Sequence, residues 1–183
     1  PIGGGTSLAP GLKGQASGIF PWVDNSANGS CAIATEQELV TMTPAGTVTD
    51  RTPSAFSTQA TTSTWTMDAA GQLLLAVNDA DGVIYKYLPG TDTLATKLSD
   101  ESGASGVPTC EAIVVTNEGI PMALGADGNP RALAWSDRDD LTDWSAGLTD
   151  LAGDLNLQAS AGLKNGKNVR AGTLLWTGED LQL

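Results

Sequence analysis

The feature that most constrains the fold is a segment in which a turn signal, an apolar strand and an acidic run follow one another. The turn signal covers residues 126–129, the apolar strand covers 131–135, and the acidic run lies between Trp135 and Trp144. Asp and Gly favour tight turns, and short apolar runs bounded by turns are typical of strands. The segment therefore predicts a strand, a tight acidic turn and a return strand that an aromatic residue anchors. This pattern is typical of radially repeated β architecture and not of a catalytic pocket.

The same alternation of short strands and polar turns continues through most of the chain. Predicted strands cover residues 31–34, 39–43, 47–49, 65–67, 72–77, 83–88, 93–98, 112–116, 120–124, 131–135, 173–177 and 181–183, and the turns between them include 36–38, 44–46, 68–71 and 178–180. Four similar hairpins, each an apolar strand, a short polar turn and another apolar strand, recur at irregular spacings of roughly 30 to 60 residues, and propeller blades run about 40–50 residues each. The sequence predicts an all-β fold of antiparallel meander blades in an incomplete β-propeller, with a β-sandwich as the main alternative.

The domain organisation follows from the same pattern. We predict an extended N-terminal arm over residues 1–30, whose glycines and prolines disfavour helices and long strands, with Trp22 and Val23 anchoring it. Residues 31–183 form the propeller-like domain, with about four blade starts, the last one truncated, and with insertion loops at 99–109 and 145–168. Because a half ring has open sheet edges, we expect either that the polypeptide continues past Leu183 or that partners close the structure.

Composition and charge exclude several functional classes. The net charge is −12 and the nine basic residues are scattered, so no basic stripe can hold a phosphate backbone tightly. The apolar runs are too short for a membrane-spanning helix, and we expect a soluble protein. Cys31 and Cys110 lack metal-ligand spacing, so we expect reduced, buried thiols, with a disulfide between them as the alternative.

No catalytic, cofactor or metal site is predicted. Histidine is absent, which removes Ser-His-Asp and Cys-His systems and most transition-metal sites. The aspartates of the acidic run, Asp137, Asp139, Asp140 and Asp143, could bind calcium, but we favour the interpretation that they bond their own turn backbone. Trp65, Trp135 and Trp176 are predicted to pack between blades, and Trp144 to plug the base of the acidic turn. Stacking of these rings on sugars is the alternative.

Several of these segments carry a family resemblance. They are Pro130-Arg131-Ala132-Leu133-Ala134-Trp135-Ser136-Asp137, Asp140-Leu141-Thr142-Asp143-Trp144, 152–157, 172–177 and, upstream, 21–25, 34–40, 50–53 and 65–74. From about Pro21 to Leu183 the chain resembles tailed-bacteriophage virion proteins with a β-propeller, the tail nozzle or hub proteins also called packaged-DNA stabilisation proteins. In that family the motifs continue into further aromatic strands beyond the point that corresponds to Leu183.

The resemblance implies a non-enzymatic structural protein of the virion, assembled in the cytoplasm of the bacterial host. It implies a homo-oligomeric ring that joins other tail, adaptor or portal proteins and encloses a channel for DNA, which passes without specific binding. An acidic channel wall would suit this passage, because it repels DNA. Two alternatives from other classes are a sialidase-like propeller glycosidase or carbohydrate-binding module, and a secreted adhesion module. The acidic turn lacks the glycine expected of an aspartate box, and only four arginines are present.

Overall fold

The structure, a computed structural model, describes residues 11–158, 161–169, 172–178 and 181–182. These residues form four antiparallel sheets, and their only helical segments are 3₁₀ turns at Leu98–Asp100 and Ala126–Gly128. The first sheet contains β1 (Ala16–Val23), β2 (Gly29–Thr35), β3 (Leu39–Met42) and β4 (Val48–Asp50). The second contains β5 (Trp65–Ala70), β6 (Leu73–Asn78), β7 (Ile84–Tyr87) and β8 (Thr96–Lys97). The third contains β9 (Ala112–Val115), β10 (Pro121–Leu124), β11 (Ala132–Trp135) and β12 (Gly153–Asn156). The fourth contains β13 (Leu163–Val169), β14 (Gly172–Thr177) and β15 (Leu181–Gln182).

Each sheet is a meander, because its strands lie side by side in chain order. Neighbouring sheets meet mainly through their first strands: β1 lies against β5, β5 against β9, and β9 against β13. The first strands therefore share an inner axis, and the last strands lie on the outside. This is the arrangement of a partial β-propeller, and the all-β meander prediction is confirmed.

Three apolar cores separate the four sheets. The first core, between the first and second sheets, contains Trp22, Ala32, Ala34, Leu39, Trp65, Leu74, Ala76, Tyr85, Tyr87 and Ala95. The second core, between the second and third sheets, contains Leu75, Val77, Ile84, Leu98, Cys110, Ile113, Val115, Ala123, Ala126, Ala134 and Trp144. The third core, between the third and fourth sheets, contains Ala112, Val114, Leu124, Leu133 and Leu163. Because the inner sheets are covered on both faces, β6 is apolar at almost every position and does not alternate with polar residues.

The first core is rich in aromatic rings. The Trp65 ring centroid lies 5.2 Å from that of Phe56 and 6.2 Å from that of Tyr85. The Trp65 indole Nε1–H donates a hydrogen bond of 2.8 Å to the backbone carbonyl of Thr35, at the end of β2. Trp65 therefore links the second sheet to the first through both packing and a buried hydrogen bond, as predicted for a tryptophan between blades.

The N-terminal arm prediction needs correction over residues 16–23. These residues form β1, the first strand of the first sheet, in register with β2, and Trp22 is buried in the first core. The glycine and proline that argued against a strand have packing roles. A Cβ on Gly18 would lie 2.7 Å from the Trp65 Cβ, so only glycine lets β1 approach β5 this closely. Pro21 is tolerated because β1 is an edge strand. Residues 1–10 of the predicted arm lie outside the described residues.

The predicted loop at 145–168 also needs correction, because it contains β12 and most of β13. Gly166 reduced the strand signal of β13, yet its hypothetical Cβ would lie 2.9 Å from Leu175 Cδ2 and 3.0 Å from Val114 Cγ1. The repeat therefore begins at β1, β5, β9 and β13, one strand earlier in the first and fourth sheets than predicted. The fourth sheet has three described strands instead of two.

The remaining strands agree with the sequence to within a few residues, with one turn displaced. The predicted turn at 68–71 is shorter, because β5 runs on to Ala70 and pairs with Leu73. The actual turn is Gly71 and Gln72, with Gly71 at a φ of +62°. Glycine at the first position of a two-residue hairpin loop accommodates this left-handed conformation. Of the predicted turn at 178–180, residues 179 and 180 lie outside the described residues.

Candidate functional site

The acidic run between the two tryptophans is a self-bonded turn. Asp137 Oδ1 accepts backbone N–H bonds from Arg138 at 2.7 Å and Leu151 at 3.1 Å. Asp140 Oδ1 accepts from the Thr142 backbone at 2.9 Å and from its hydroxyl at 2.6 Å, and Asp143 Oδ1 accepts from the Ser145 backbone at 3.0 Å. The Thr142 hydrogen bonds hold the pKa of Asp140 below its ordinary value of 3.8. This geometry agrees with the turn interpretation, and no group of three or more metal-ligating side chains occurs among the described residues.

The acidic turn is joined to the predicted insertion loop at 99–109, a contact that no sequence pattern indicated. Ser105 forms a parallel bridge with Asp143 and accepts the Trp144 backbone N–H at 2.8 Å. Its hydroxyl lies 2.7 Å from that of Ser145. Local sequence patterns report hairpins, whereas this contact joins segments about 40 residues apart.

The four tryptophans of the structural motif occupy different environments. Trp65 and Trp144 are each 5% exposed, Trp144 in the second core with its Nε1–H donating to the Leu141 carbonyl at 3.0 Å. Trp135 and Trp176 are half-buried. Trp135 lies at the margin of the third core, where its ring covers Gly153 and its Nε1–H donates to the Leu151 carbonyl at 2.7 Å. Trp135 is therefore partly buried, whereas Trp144 is almost fully buried, as expected for a ring that closes the base of the acidic turn.

Trp176 lines a cavity at the inner axis, where residues from the first strands of all four sheets meet. The cavity has a volume of about 260 Å³. Its lining is Ile19, Phe20, Trp65, Thr66, Met67, Asp68, Ile113, Asn165, Gly166, Lys167 and Trp176. Two of its polar side chains bond the neighbouring sheet: Thr66 Oγ1 accepts the Ile113 N–H at 3.0 Å and Asp68 Oδ2 accepts the Val115 N–H at 2.8 Å. Side chains of β5 thus satisfy the free backbone edge of β9.

The first sheet has a second face, here called the outer face, which points away from the second sheet. Strand alternation and register place eight apolar residues on it, together with Gly29, Thr35 and Asp50. The apolar residues are Ile19, Pro21, Val23, Cys31, Ile33, Val40, Met42 and Val48. Ile33 and Val40 are buried at the centre of the sheet, whereas Ile19 is 67% and Val23 56% exposed on β1. None of the eight belongs to the three cores. The outer face is therefore mainly apolar, with Asp50 at its β4 edge, and it is open on the side of β1.

A groove of about 320 Å³ lies at the end of the outer face. Pro21, Val23, Cys31 and Met42 line it, together with Trp22. The Trp22 Nε1–H is buried and has no acceptor among the described residues. Buried N–H groups are almost always paired in folded proteins, so this donor is an exception, and the Trp22 ring that carries it lies in the first core.

The fourth sheet has the corresponding opposite face, here called the free face, which points away from the third sheet. Alternation places Asn165, Lys167, Val169, Leu174 and Trp176 on it, because Leu163 and Leu175 point into the third core. Lys167 and Val169 are exposed, and Lys167 forms no ion pair with any described residue. The free face and the outer face are the two ends of the stack of sheets.

Both cysteines are free thiols, and they differ in access. Cys110 is 3% exposed in the second core, and burial raises the pKa of its thiol strongly. Cys31 is half-buried on the outer face, and burial also raises the pKa of its thiol. The alternative of a disulfide between them is not formed in the structure.

Comparisons with known proteins do not identify a relative: no family model matches the chain, and no curated protein matches it significantly. Within the described ranges, no helix is both long and apolar enough to cross a membrane.

Proposed function

We propose that this chain is a structural component of a tailed-bacteriophage virion, a nozzle- or hub-type tail protein that assembles into a ring around the DNA exit channel. The observation that carries the proposal is the stack of four meander sheets around one axis, whose two end faces have no neighbouring sheet among the described residues. A stack of this kind is completed by contact with further sheets, which is what a ring of subunits supplies.

The positions of the resembling motifs support a structural role. Residues 130–137 contain β11 and its flanks, residues 65–74 contain β5 and the start of β6, and residues 172–177 are β14. The motifs that resemble the phage proteins are therefore strands and the turns that join them. Their tryptophans bond backbone carbonyls of neighbouring segments, as Trp65 and Trp135 show. The proposed role is accordingly non-enzymatic, and the ring assembles in the host cytoplasm together with other tail, adaptor or portal proteins.

The charge of the chain supports passage of DNA instead of tight binding. A protein with a net charge of −12 repels the phosphate groups of DNA. Its sequence has no cluster of basic residues that could bind the DNA backbone and release its counterions. DNA that moves through such a ring would not be held at any one position. The channel itself is formed between subunits in this proposal, since the axial cavity of one chain is far too small for a duplex.

Negative-stain electron microscopy of the concentrated protein, alone and mixed with purified portal–adaptor complexes of tailed phages, tests the proposal. We expect closed rings with a central opening, and their attachment to the free end of the adaptor. Particles without a central opening, together with no co-migration with any portal–adaptor complex, would contradict it.

A carbohydrate-binding module is the second candidate, and the axial cavity is the observation that favours it. Trp176 and Phe20 offer aromatic surfaces, and Asn165 and Lys167 offer hydrogen-bond donors, as sugar sites require. The lining provides a single carboxylate, Asp68, whose oxygens already accept backbone N–H bonds, whereas a glycosidase needs an opposed pair. Retention on a glycan array that is lost in Trp176→Ala, but kept in Leu148→Ala, would establish this candidate. No retention on any glycan would remove it.

A further inference from the structure

The outer face of the first sheet has the composition of a covered face. Two cross-strand rows run across it: Ile19, Ile33 and Val40, which ends at Asp50 on β4, and Pro21, Cys31, Met42 and Val48. An antiparallel sheet with one solvated face shows polar residues there, whereas apolar residues on both faces are typical of a sheet between two others. The β1 end of this face is nevertheless exposed to solvent, at 67% for Ile19 and 56% for Val23.

Inside the chain, the same kind of contact is made three times. Each sheet packs against the next around its first strand through an apolar core, and side chains bridge β5 to β9 and β13 to β9. Thr66 and Asp68 of β5 accept N–H groups of β9, and Asn168 of β13 donates to the Val115 carbonyl of β9. By strand position, Asn165 and Lys167 on the free face correspond to Thr66 and Asp68, because both pairs point away from the preceding sheet. The free face is therefore equipped to bridge to the first strand of a following sheet.

We propose that the outer face of one copy receives the free face of a second copy, so that the stack of sheets continues from chain to chain. This inference rests on the proposed ring and identifies the surfaces that form it. The apolar anchors are Ile19, Pro21 and Val23 on one copy and Leu174 and Trp176 on the other.

The contact joins two different surfaces, so it is heterologous. Heterologous contacts generate closed rings when the rotation closes and filaments when it does not. A second copy is a better occupant than an unrelated partner, because each chain carries both halves of the contact and the same sheet-on-sheet packing already occurs at three places within it. Closure between the two end faces of a single chain is the competing outcome, since Ile19 and Trp176 line the same axial cavity.

Light scattering coupled to size-exclusion chromatography measures the association. We expect the wild type to exceed the monomer mass increasingly with concentration. Ile19→Asp on the outer face and Leu174→Asp on the free face should each raise the dissociation constant at least ~100-fold, because a carboxylate would be buried without a partner. Val169→Asp, at an exposed position of the free face, serves if Leu174→Asp fails to fold. Leu148→Asp is the matched control, since Leu148 is fully exposed at 105% and lies on neither face.

Mixing the variants separates this contact from other modes of association. Ile19→Asp and Leu174→Asp, each monomeric alone, should form a one-to-one dimer when mixed, because one intact outer face and one intact free face remain. A symmetric contact of two outer faces predicts dimers of Leu174→Asp alone and would overturn the proposal. So would a monomeric wild type, an equal effect of Leu148→Asp, or a loss of monomer stability in Ile19→Asp that reveals closure within one chain.

The outcomes also separate this inference from the proposed function. Suppose that the variants show association through the outer and free faces, but the products are filaments or particles that bind no portal–adaptor complex. That result supports the proposed contact and contradicts the nozzle proposal. Rings that attach to the adaptor but persist in Ile19→Asp remove the contact and leave the nozzle proposal standing.

Discussion

The two faces of the first sheet share the same strands and a similar apolar composition, but they differ in what covers them. The inner face places Trp22, Ala34 and Leu39 in the first core against Trp65 of the second sheet, and these residues are almost inaccessible to solvent. The outer face places Ile19 and Val23 in solvent. Strand alternation alone produces both faces, so the difference lies in the neighbouring sheet and not in the strand. In the proposed contact, a second copy covers the part of the outer face that is apolar but open.

The largest effect should come from removing the aromatic anchor of the inner face. Trp65→Ala deletes a buried ring and leaves the Thr35 carbonyl without its donor. We therefore expect the free energy of unfolding to fall by an amount near the upper end of the range of roughly 3–5 kcal/mol. Ile19→Ala on the outer face should change the stability of the dilute monomer by no more than about 0.5 kcal/mol. Urea denaturation at low protein concentration measures both. Equal losses would mean that the two faces are equally packed, and the comparison would fail.

The tryptophans that bracket the acidic turn allow the same comparison elsewhere in the molecule. Trp144→Ala should cost roughly 3–5 kcal/mol, because its ring is buried in the second core. Trp135→Ala should cost less, about 1–3 kcal/mol, because only part of its surface is removed from water, although it also loses the bond to Leu151. Leu148→Ala serves as the control, because Leu148 is exposed in the loop between Trp144 and β12. If Trp144→Ala were as mild as Leu148→Ala, the ring would be accessible, and its role as a sugar-stacking surface would return.

A smaller effect is expected where a side chain bridges two sheets. Asp68→Ala removes the acceptor of the Val115 N–H, which should cost about 1–3 kcal/mol, whereas Asp68→Asn keeps an acceptor and should recover much of it. Asp139→Ala is the matched control, since Asp139 is exposed in the acidic turn. The measurement is thermal or urea unfolding of the four proteins. A neutral Asp68→Ala would show that bridging of first strands is not needed within the chain, and it would weaken the same argument between chains.

The smallest expected effect is a pH dependence at the turn between β2 and β3. Glu36 Oε2 accepts the Gln15 backbone N–H at 2.8 Å, and this bond lowers the pKa of Glu36 below its ordinary value of 4.5. A carboxyl whose pKa is lower in the folded state contributes stability that is present above pH 4.5 and is lost as the pH falls through the folded pKa. Glu36→Gln should therefore flatten the decline of unfolding free energy below that pH. An unchanged slope in acid titrations of stability would contradict this assignment.

Much of the fold could be predicted from sequence, and the failures have a physical cause. β6, β7, β10 and β14 are apolar runs between turn residues, and local pattern suffices to place them. β1 and β13 were missed because Gly18 and Gly166 lower strand propensity, yet both glycines are needed where first strands approach a neighbouring sheet. Their function is visible only once the sheets are stacked.

The acidic turn shows the same division. Asp137 and Asp140 bond neighbouring residues of the turn, as their spacing predicted. The bond from Leu151 to Asp137 and the bridge of Asp143 to Ser105 depend on segments outside the turn. The openness of the outer face could not be predicted either, because the sequence reports that a strand is apolar on both faces and not whether a neighbouring sheet is present. Register and exposure were needed to show that Ile19 and Val23 remain uncovered.

The most direct test of the central claim, that the outer face is an assembly surface, is the rate at which Cys31 is alkylated as protein concentration rises. Cys31 lies on the outer face, and the buried Cys110 serves as an internal reference that should stay unmodified in the native protein. Intact-mass spectrometry should show Cys31 modification slowing with concentration in the wild type but not in Ile19→Asp. A rate independent of concentration in the wild type, with the chain associated, would contradict the claim.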